Sequence, residues 1–208
     1  MSSLRIFVAV DIPHSIQKSI QEQLSSLRMK IGDSSVRWMP VHNIHLTLKF
    51  LGDVSSEKVD SMIHIVQSQA DSHPAFDVQI GGLGTFPSSK RPRVLFIGIQ
   101  APAELGALQR GFEAACTSAG FRSDSRLYSP HLTIGRVRRG ITPAEQMKIK
   151  SALDGTKIDS LGSAGVDLVH LYRSELKPTG SVYTKLFSAP LKTQEVKTES
   201  TRPGTQDH

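Results

Sequence analysis

Only one cysteine occurs in the 208 residues, which excludes an internal disulfide and a zinc site built on several cysteines. No apolar run approaches the roughly 18 residues that a membrane-spanning helix requires. The N-terminus also lacks the basic and then apolar plan of a secretory signal peptide. We therefore expect a cytoplasmic protein without membrane contact. We expect Cys116, on the apolar face of a predicted helix, to be an ordinary core residue.

Acidic residues are in the minority, because 19 Asp and Glu stand against 25 Lys and Arg and give a net charge of +6. Segment 190–208 carries three charges of each sign, so the whole excess lies in residues 1–189. A basic folded body attracts polyanions such as RNA. Many globular proteins are mildly basic without binding nucleic acid, so charge alone leaves both interpretations open.

The tripeptide His-Leu-Thr occurs twice, at residues 45–47 and 131–133, and an aliphatic residue follows each copy. Chance alone gives roughly 0.5 His-x-Thr triplets in such a chain, so a single match is weak evidence of function. Two matches with apolar residues at the same positions are far less likely to arise by chance. Residues two apart on a strand share one face. Each motif strand therefore presents one imidazole and one hydroxyl to a common surface.

Two histidines and two threonines form a complete set of groups for metal-free phosphoester chemistry. One imidazole can take a proton from an attacking oxygen while the other protonates the leaving oxygen, and the hydroxyls can hold phosphate oxygens. A pKa near ~6.5 lets both forms of histidine exist near neutral pH. Two alternatives stay open, namely structural histidines and a zinc site, although neither His-Glu-x-x-His nor a cysteine cluster is present.

Two further residues lie at the same distance beyond the two histidines. Phe50 follows His45 by five positions and can stack on a base. Arg136 follows His131 by five positions and can neutralise phosphate charge. Strict strand alternation would put both on the face opposite the histidines. A bulge or a strand end is needed to place the side chains of Phe50 and Arg136 on the same face as the histidines.

Strand-periodic and helix-periodic segments alternate along the chain and predict an α+β fold with helices on one side of the sheets. Helices are predicted over about 16–31, 59–70 and 105–119, and a capping box at Thr142–Glu145 starts a fourth. Strands are predicted at 5–10, 45–51, 76–80, 94–99, 131–137, 166–171 and 182–187. Between them, the glycines of segment 81–84 are interpreted as turn residues.

The spacing of the two motifs indicates two related halves. The histidines are 86 positions apart, close to half of the folded length, and a helix precedes and follows each motif strand. A duplication would place the motif strands side by side about a pseudo-two-fold axis. Residues 1–190 are predicted to form one domain, and 191–208 a disordered polar tail.

The paired motifs resemble those of the 2H phosphoesterase superfamily, most closely the LigT-like RNA 2′,3′-cyclic phosphodiesterases, once called 2′-5′ RNA ligases. The resemblance covers nearly all of the chain except the tail. It includes segments 5–10, 37–40, 43–52, 91–95, 130–137 and 171–176. It implies a bilobal fold, in which two pseudo-symmetric lobes of antiparallel sheet with helices outside flank a central cleft. It also implies that neither a metal nor another cofactor takes part.

The resemblance further implies hydrolysis of a 2′,3′-cyclic phosphate at an RNA end to a 2′-phosphomonoester. His45 would be the proton donor and His131 the proton acceptor. The other contacts would come from residues that hold phosphate oxygens, Thr47, Thr133 and Arg136, and from one that stacks on the terminal base, Phe50. Reverse 2′-5′ RNA ligation and a non-catalytic RNA- or nucleotide-binding module remain as alternatives. We expect a monomer whose partners are RNA or oligonucleotide ends.

Overall fold

The computed structural model describes residues 3–178 and 180–193, which form four α-helices and nine β-strands. The helices are α1 (His14–Ile31), α2 (Val59–Ser72), α3 (Ala103–Ser118) and α4 (Pro143–Asp154). The strands are β1 (Ser3–Asp11), β2 (Val36–Trp38), β3 (His45–Ser55), β4 (Phe76–Phe86), β5 (Val94–Gln100), β6 (His131–Val137), β7 (Ser160–Val166), β8 (Leu168–Lys177) and β9 (Gly180–Pro190). None of these four helices has the length and hydropathy needed to cross a membrane.

The strands form one antiparallel sheet in the order β7-β4-β5-β6-β3-β1-β8-β9, and β2 pairs with β6. The motif strands β3 and β6 are therefore neighbours at the middle of the sheet, joined through the pair Leu46 and Leu132. Three strands continue the sheet on either side of them. This arrangement confirms the predicted side-by-side placement of the two motifs about a pseudo-two-fold axis.

The helices pack in two pairs, α2 with α3 and α1 with α4. The first pair lies against β3, β8 and β9, and α1 lies against β7. Helix α1 follows β1 in sequence but packs on the half that contains β7, while α3 follows β5 but packs on the half that contains β3. One hydrophobic core contains buried residues from all four helices. The two predicted lobes are therefore halves of one sheet that share one core.

The helical periodicities predicted the buried faces of the helices. The residues of α1 that are buried form a single stripe, Ile16, Ile20, Leu24, Leu27 and Ile31. Each such side chain contributes about 1.5–3 kcal/mol when it leaves water. Thr142 closes the predicted capping box with Glu145 at the start of α4. Cys116 is fully buried as predicted, and burial raises the pKa of its thiol to about 11.

The prediction of a turn in the glycine-rich segment after residue 80 was wrong, because β4 continues through it to Phe86. The strand bulges between Ile80 and Leu83, where Gly82 has a φ of +81°. A Cβ on Gly84 would overlap the ring of Phe96. Glycine is used here for a bulge and for close approach of a ring, not for a chain reversal.

The predicted strand 166–171 is in fact parts of two strands. Strand β7 ends at Val166 and pairs with β4, whereas β8 begins at Leu168 and pairs with β1, so Asp167 separates two strands of different parts of the sheet. Strand β7 was not predicted because its residues, Ser160–Val166, include two glycines and two serines, which have weak strand propensity.

The folded body continues past residue 190. Leu191 is buried, and its backbone N–H donates to the carbonyl of Asp167. The N–H of Lys192 donates to the carbonyl of His73, which ties the chain to the end of α2. The rest of the predicted tail, from residue 194, lies outside the described residues.

Gly84→Ala is expected to destabilise the fold by about 1–3 kcal/mol, because the added methyl overlaps the Phe96 ring. That ring cannot easily yield, since it stacks on Phe86 with centroids 4.3 Å apart. Urea unfolding measures the change. Gly165→Ala in β7 is the control, because its Cβ would meet no atom closer than 3.5 Å. Equal stability of the two variants would contradict the close packing at Gly84.

Candidate active site

The two motifs present their polar residues on the same face of the sheet. Leu46 and Leu132 pair across the strands and are buried in the core. The opposite face carries the four polar residues of the motifs, all partly exposed: His45, Thr47, His131 and Thr133. An antiparallel register through the leucine pair sets each histidine across from the threonine of the other motif. The sheet thus brings the two imidazoles and two hydroxyls together.

Each histidine ring is oriented by the backbone two residues before it. Nδ1 of His45 lies 2.8 Å from the carbonyl oxygen of Asn43, and Nδ1 of His131 lies 2.7 Å from that of Ser129. A carbonyl only accepts, so each Nδ1 carries the hydrogen. In both rings, Nε2 is therefore the nitrogen that can exchange a proton with a ligand.

Aromatic rings surround His45 on several sides. Its ring stacks on Phe7, with centroids 4.7 Å apart and planes 24° from parallel. Tyr183 meets it edge-on at 5.2 Å. The ring of Tyr172 stacks on Phe7 at 5.2 Å and 15° and also lies 6.3 Å from the ring of His45. This cluster of rings restricts the orientation of the His45 imidazole.

His131 has an aromatic setting of its own. Phe86 meets its ring edge-on at 4.9 Å, and Phe96 lies at 5.3 Å with a tilt of 57°. The aromatic contacts come from β4 and β5, the two strands beyond β6. The contacts of His45 come from β1, β8 and β9 on the other side of the sheet. The two imidazoles are thus embedded in separate aromatic clusters.

Burial lowers the pKa of both histidines below the ordinary 6.5, but the neighbouring charges differ. Beside His45, the carboxylate of Asp11 opposes the shift, while the charge of His131 adds to it. Beside His131, the guanidinium of Arg136 adds to the shift. Burial thus favours the neutral form of both rings, while Asp11 opposes this at His45 and Arg136 reinforces it at His131.

A bulge in β3 brings Phe50 to the histidine face. Consecutive residues of β1 pair with Thr47 and Lys49, so Leu48 is an extra residue without a partner in β1. Leu48 and Lys49 are both buried, and Phe50 then emerges on the same face as Thr47. The bulge that strict alternation required is present, one position after the threonine.

The second motif contains the same device. Consecutive residues of β5 pair with Thr133 and Gly135, which leaves Ile134 as the extra residue. Ile134 and Gly135 are both buried, and Arg136 follows on the exposed side. Corresponding bulges therefore redirect the fifth residue after each histidine, an aromatic ring in one motif and a guanidinium in the other.

A cavity of about 720 Å³ opens on this face. Of the predicted site residues, His45, Thr47, Phe50 and Arg136 line it, whereas His131 and Thr133 are not among its lining residues. Four arginines contribute to the lining: Arg5, Arg37, Arg136 and Arg138. None of the described lining residues is acidic, so the cavity attracts anions such as phosphate.

A family model described as the 2′-5′ RNA ligase superfamily matches residues 16–176. The chain belongs to this superfamily. The match confirms the resemblance seen in the motifs, and it spans both motif strands and all four helices except the first residues of α1.

Two curated relatives of this superfamily member are named RNA 2′,3′-cyclic phosphodiesterase. They come from Methanothermobacter thermautotrophicus and Archaeoglobus fulgidus, and each is 33% identical over 183 residues. The alignments cover 88% of this chain in both cases, and 96% and 98% of the relatives.

Two solved structures share the fold at 26% identity. The crystal structure of TT0787 of Thermus thermophilus aligns with a TM-score of 0.76 and covers 92% of this chain and 100% of its own. The crystal structure of E. coli LigT complexed with 3′-AMP gives a TM-score of 0.71, with 91% and 99% covered. These similarities confirm the predicted α+β fold of the superfamily.

Sequence reasoning missed a polar cluster beside the aromatic rings around His45. Asp11 accepts hydrogen bonds from the hydroxyl of Tyr172 and from Nζ of Lys185, the latter at 2.7 Å. Nε2 of His170 lies 3.5 Å from the same carboxylate. No local signal connects these residues, because Asp11 and Tyr172 are 161 positions apart.

A second missed network anchors the loop that precedes β6. Nζ of Lys49 lies 2.6 Å from the carboxylate of Glu113 and donates to the carbonyl of Arg122 at 3.0 Å. The hydroxyl of Tyr128 donates to the carbonyl of Thr47 at 3.1 Å. The loop leading into the second motif is thereby attached to the strand of the first.

Glu113→Gln is expected to destabilise this member of the 2′-5′ RNA ligase superfamily by about 2 kcal/mol, measured by urea unfolding. It leaves the ammonium of Lys49, whose side chain is 2% exposed, without its counter-ion. The value is below the ~3–5 kcal/mol of a fully buried pair because Glu113 is partly exposed.

The matched control is Asp154→Asn, which breaks the exposed Lys150–Asp154 pair of α4 and is expected to change stability by no more than about 0.5 kcal/mol. If Glu113→Gln were as mild as this control, the buried ion pair would not anchor the loop.

Proposed function

We propose that the protein hydrolyses a 2′,3′-cyclic phosphate at an RNA end to a 2′-phosphomonoester. The observation that carries the proposal is the pair of histidines from adjacent strands, each with Nδ1 bonded to a backbone carbonyl and Nε2 free. They lie on the face of the sheet that carries a basic cavity. The names of the two relatives and the nucleotide bound to E. coli LigT support the same reaction.

In this reaction the two histidines exchange one proton each. Nε2 of His131 takes a proton from water, whose oxygen attacks phosphorus. The bond from phosphorus to the 3′-oxygen breaks, and Nε2 of His45 gives its proton to that oxygen. The product retains the phosphate on the 2′-oxygen. The negative charge that develops on phosphorus is balanced by Arg136 and by hydrogen bonds from Thr47 and Thr133.

Phe50 is the proposed platform for the terminal base. Its side chain is 50% exposed at the cavity although it is large and apolar. The guanidinium of Arg5 lies 4.9 Å from its ring centroid, which braces the ring by a cation–π contact. Stacking on such a ring accepts any base, so it supports an RNA end of varied sequence as the substrate.

The same groups could join RNA ends if a 5′-hydroxyl replaced water as the nucleophile. Water at ~55 M favours hydrolysis unless the second RNA end is held at the site. Binding without turnover would need neither of the two free Nε2 atoms. Hydrolysis is therefore the function that these groups support best.

The test incubates the protein with an RNA that ends in a 2′,3′-cyclic phosphate, in EDTA, and identifies the product end. A 2′-phosphate is expected without added metal. His45→Ala and His131→Ala should each lower kcat by about 10²–10⁴-fold. His64→Ala, at an exposed position of α2, is the control and should leave kcat unchanged.

Other products would decide against the proposal. A joined product with a 5′-hydroxyl RNA, in place of a 2′-phosphate end, would identify a ligase. Salt-sensitive RNA binding without turnover would identify a binding module.

The pH profile of kcat/KM is expected to be bell-shaped with its maximum below about pH 6.5. Activity needs neutral His131 and protonated His45. It therefore falls when the pH drops below the pKa of His131 and when the pH rises above the pKa of His45. Burial lowers both of these pKa values from 6.5, which moves both limbs to lower pH. A maximum above pH 7.5 would contradict the proposed pair of groups.

A further inference from the structure

The pseudo-two-fold relation between the motif strands fails at one pair of equivalent positions. Strand β1 places Asp11 opposite His45, whereas β5 places Gly98 opposite His131. Asp11 and Gly98 hold equivalent positions, because each comes two residues after the residue of its own strand that pairs with the motif threonine. A carboxylate therefore lies beside the first histidine, and a residue without a side chain beside the second.

The carboxylate of Asp11 is held in its charged form. Burial opposes ionisation, but hydrogen bonds from Lys185 and Tyr172 outweigh it and lower the pKa of the carboxyl below 3.8. Burial also raises the pKa of the Tyr172 hydroxyl. The hydroxyl therefore keeps its proton and donates a hydrogen bond to Asp11. A fixed negative charge thus persists at the end of β1 throughout the neutral pH range.

The same hydrogen bond holds the ring of Tyr172 in the aromatic cluster around His45. The hydroxyl of Tyr172 is tied to Asp11, and its ring stacks on Phe7, on which His45 stacks in turn. Asp11 can therefore act on His45 by two routes, through its charge and through the position of the rings. Among the described residues, it is the one carboxylate whose charge acts on His45.

Building on the proposed function, we propose that Asp11 is a positioning residue that makes His45 the proton donor of the pair. Its charge favours the imidazolium at His45, while Arg136 favours the neutral ring of His131. The two histidines then enter the reaction in opposite protonation states. The titratable or charged groups around His45 come from five parts of the fold: Asp11 of β1, His42 before β3, His131 of β6, His170 and Tyr172 of β8, and Tyr183 and Lys185 of β9.

Asp11→Asn tests the proposal, because it removes the charge and retains an oxygen that can accept from Tyr172. The alkaline limb of the kcat/KM profile is expected to move to lower pH by about 0.5–1 unit. The acidic limb should stay in place. Movement of the acidic limb instead would show that the pKa of His45 lies below that of His131, so that Asp11 does not make His45 the protonated member of the pair, and would overturn the proposal. Two unmoved limbs would reduce Asp11 to a structural residue and would overturn it as well.

A variant of opposite sign separates charge from structure. Lys185→Gln removes the ammonium that partly neutralises Asp11, so the alkaline limb should move to higher pH. A purely structural role would not give shifts of opposite direction in the two variants. Asp60→Asn, in the exposed first turn of α2, makes the same charge change away from the site and should move neither limb. Circular dichroism confirms that each variant is folded.

A second readout does not depend on turnover. The ring signals of His45 and His131 can be followed by NMR titration in the unliganded protein. In Asp11→Asn the midpoint of His45 should fall by about 0.5–1 unit while that of His131 stays, and an unchanged His45 midpoint would overturn the proposal. If the wild-type protein failed to hydrolyse cyclic-phosphate RNA, the proposed function would fall, and the titration would still decide whether Asp11 controls the proton on His45.

Discussion

Burial of one leucine in each motif determines where the other groups of the site lie. Leu46 and Leu132 pair across the central strands, with their side chains in the core, so the residues on either side of them must face the opposite surface. A slip of one residue would turn both histidines inward and both leucines outward. Each leucine contributes about 1.5–3 kcal/mol in favour of the observed register. The orientation of the face that carries the histidines is therefore fixed by the apolar residues between the polar ones.

The bulges extend this constraint beyond the motifs. In each strand the aliphatic residue after the threonine is buried and has no partner in the neighbouring strand, and alternation restarts one position later. The same backbone device thus delivers Phe50 on one side and Arg136 on the other. Symmetric backbone thus carries unlike side chains, and under the proposed function this difference would give the RNA end a single orientation.

Local patterns predicted the parts of the molecule that local physics controls. The stripe of α1, the capping box of α4 and the polar face of the motif strands follow from periodicity and hydrogen-bonding chemistry. The sequence showed that bulges were needed, but it could not show their positions, because a bulge depends on pairing with another strand. Asp11 and Lys185 could not be found at all, since their partners are distant in sequence and are brought together only by the order of β1, β8 and β9.

The exchange of helices between the two halves has a consequence for assembly. Helix α1 covers the half of the sheet that ends in β7, and α3 covers the half that contains β3. Each half buries its core partly with a helix from the other, so we expect a chain cut between the halves to yield two fragments that fold only when they dock. We likewise expect the two motif strands, and with them the two histidines, to form together.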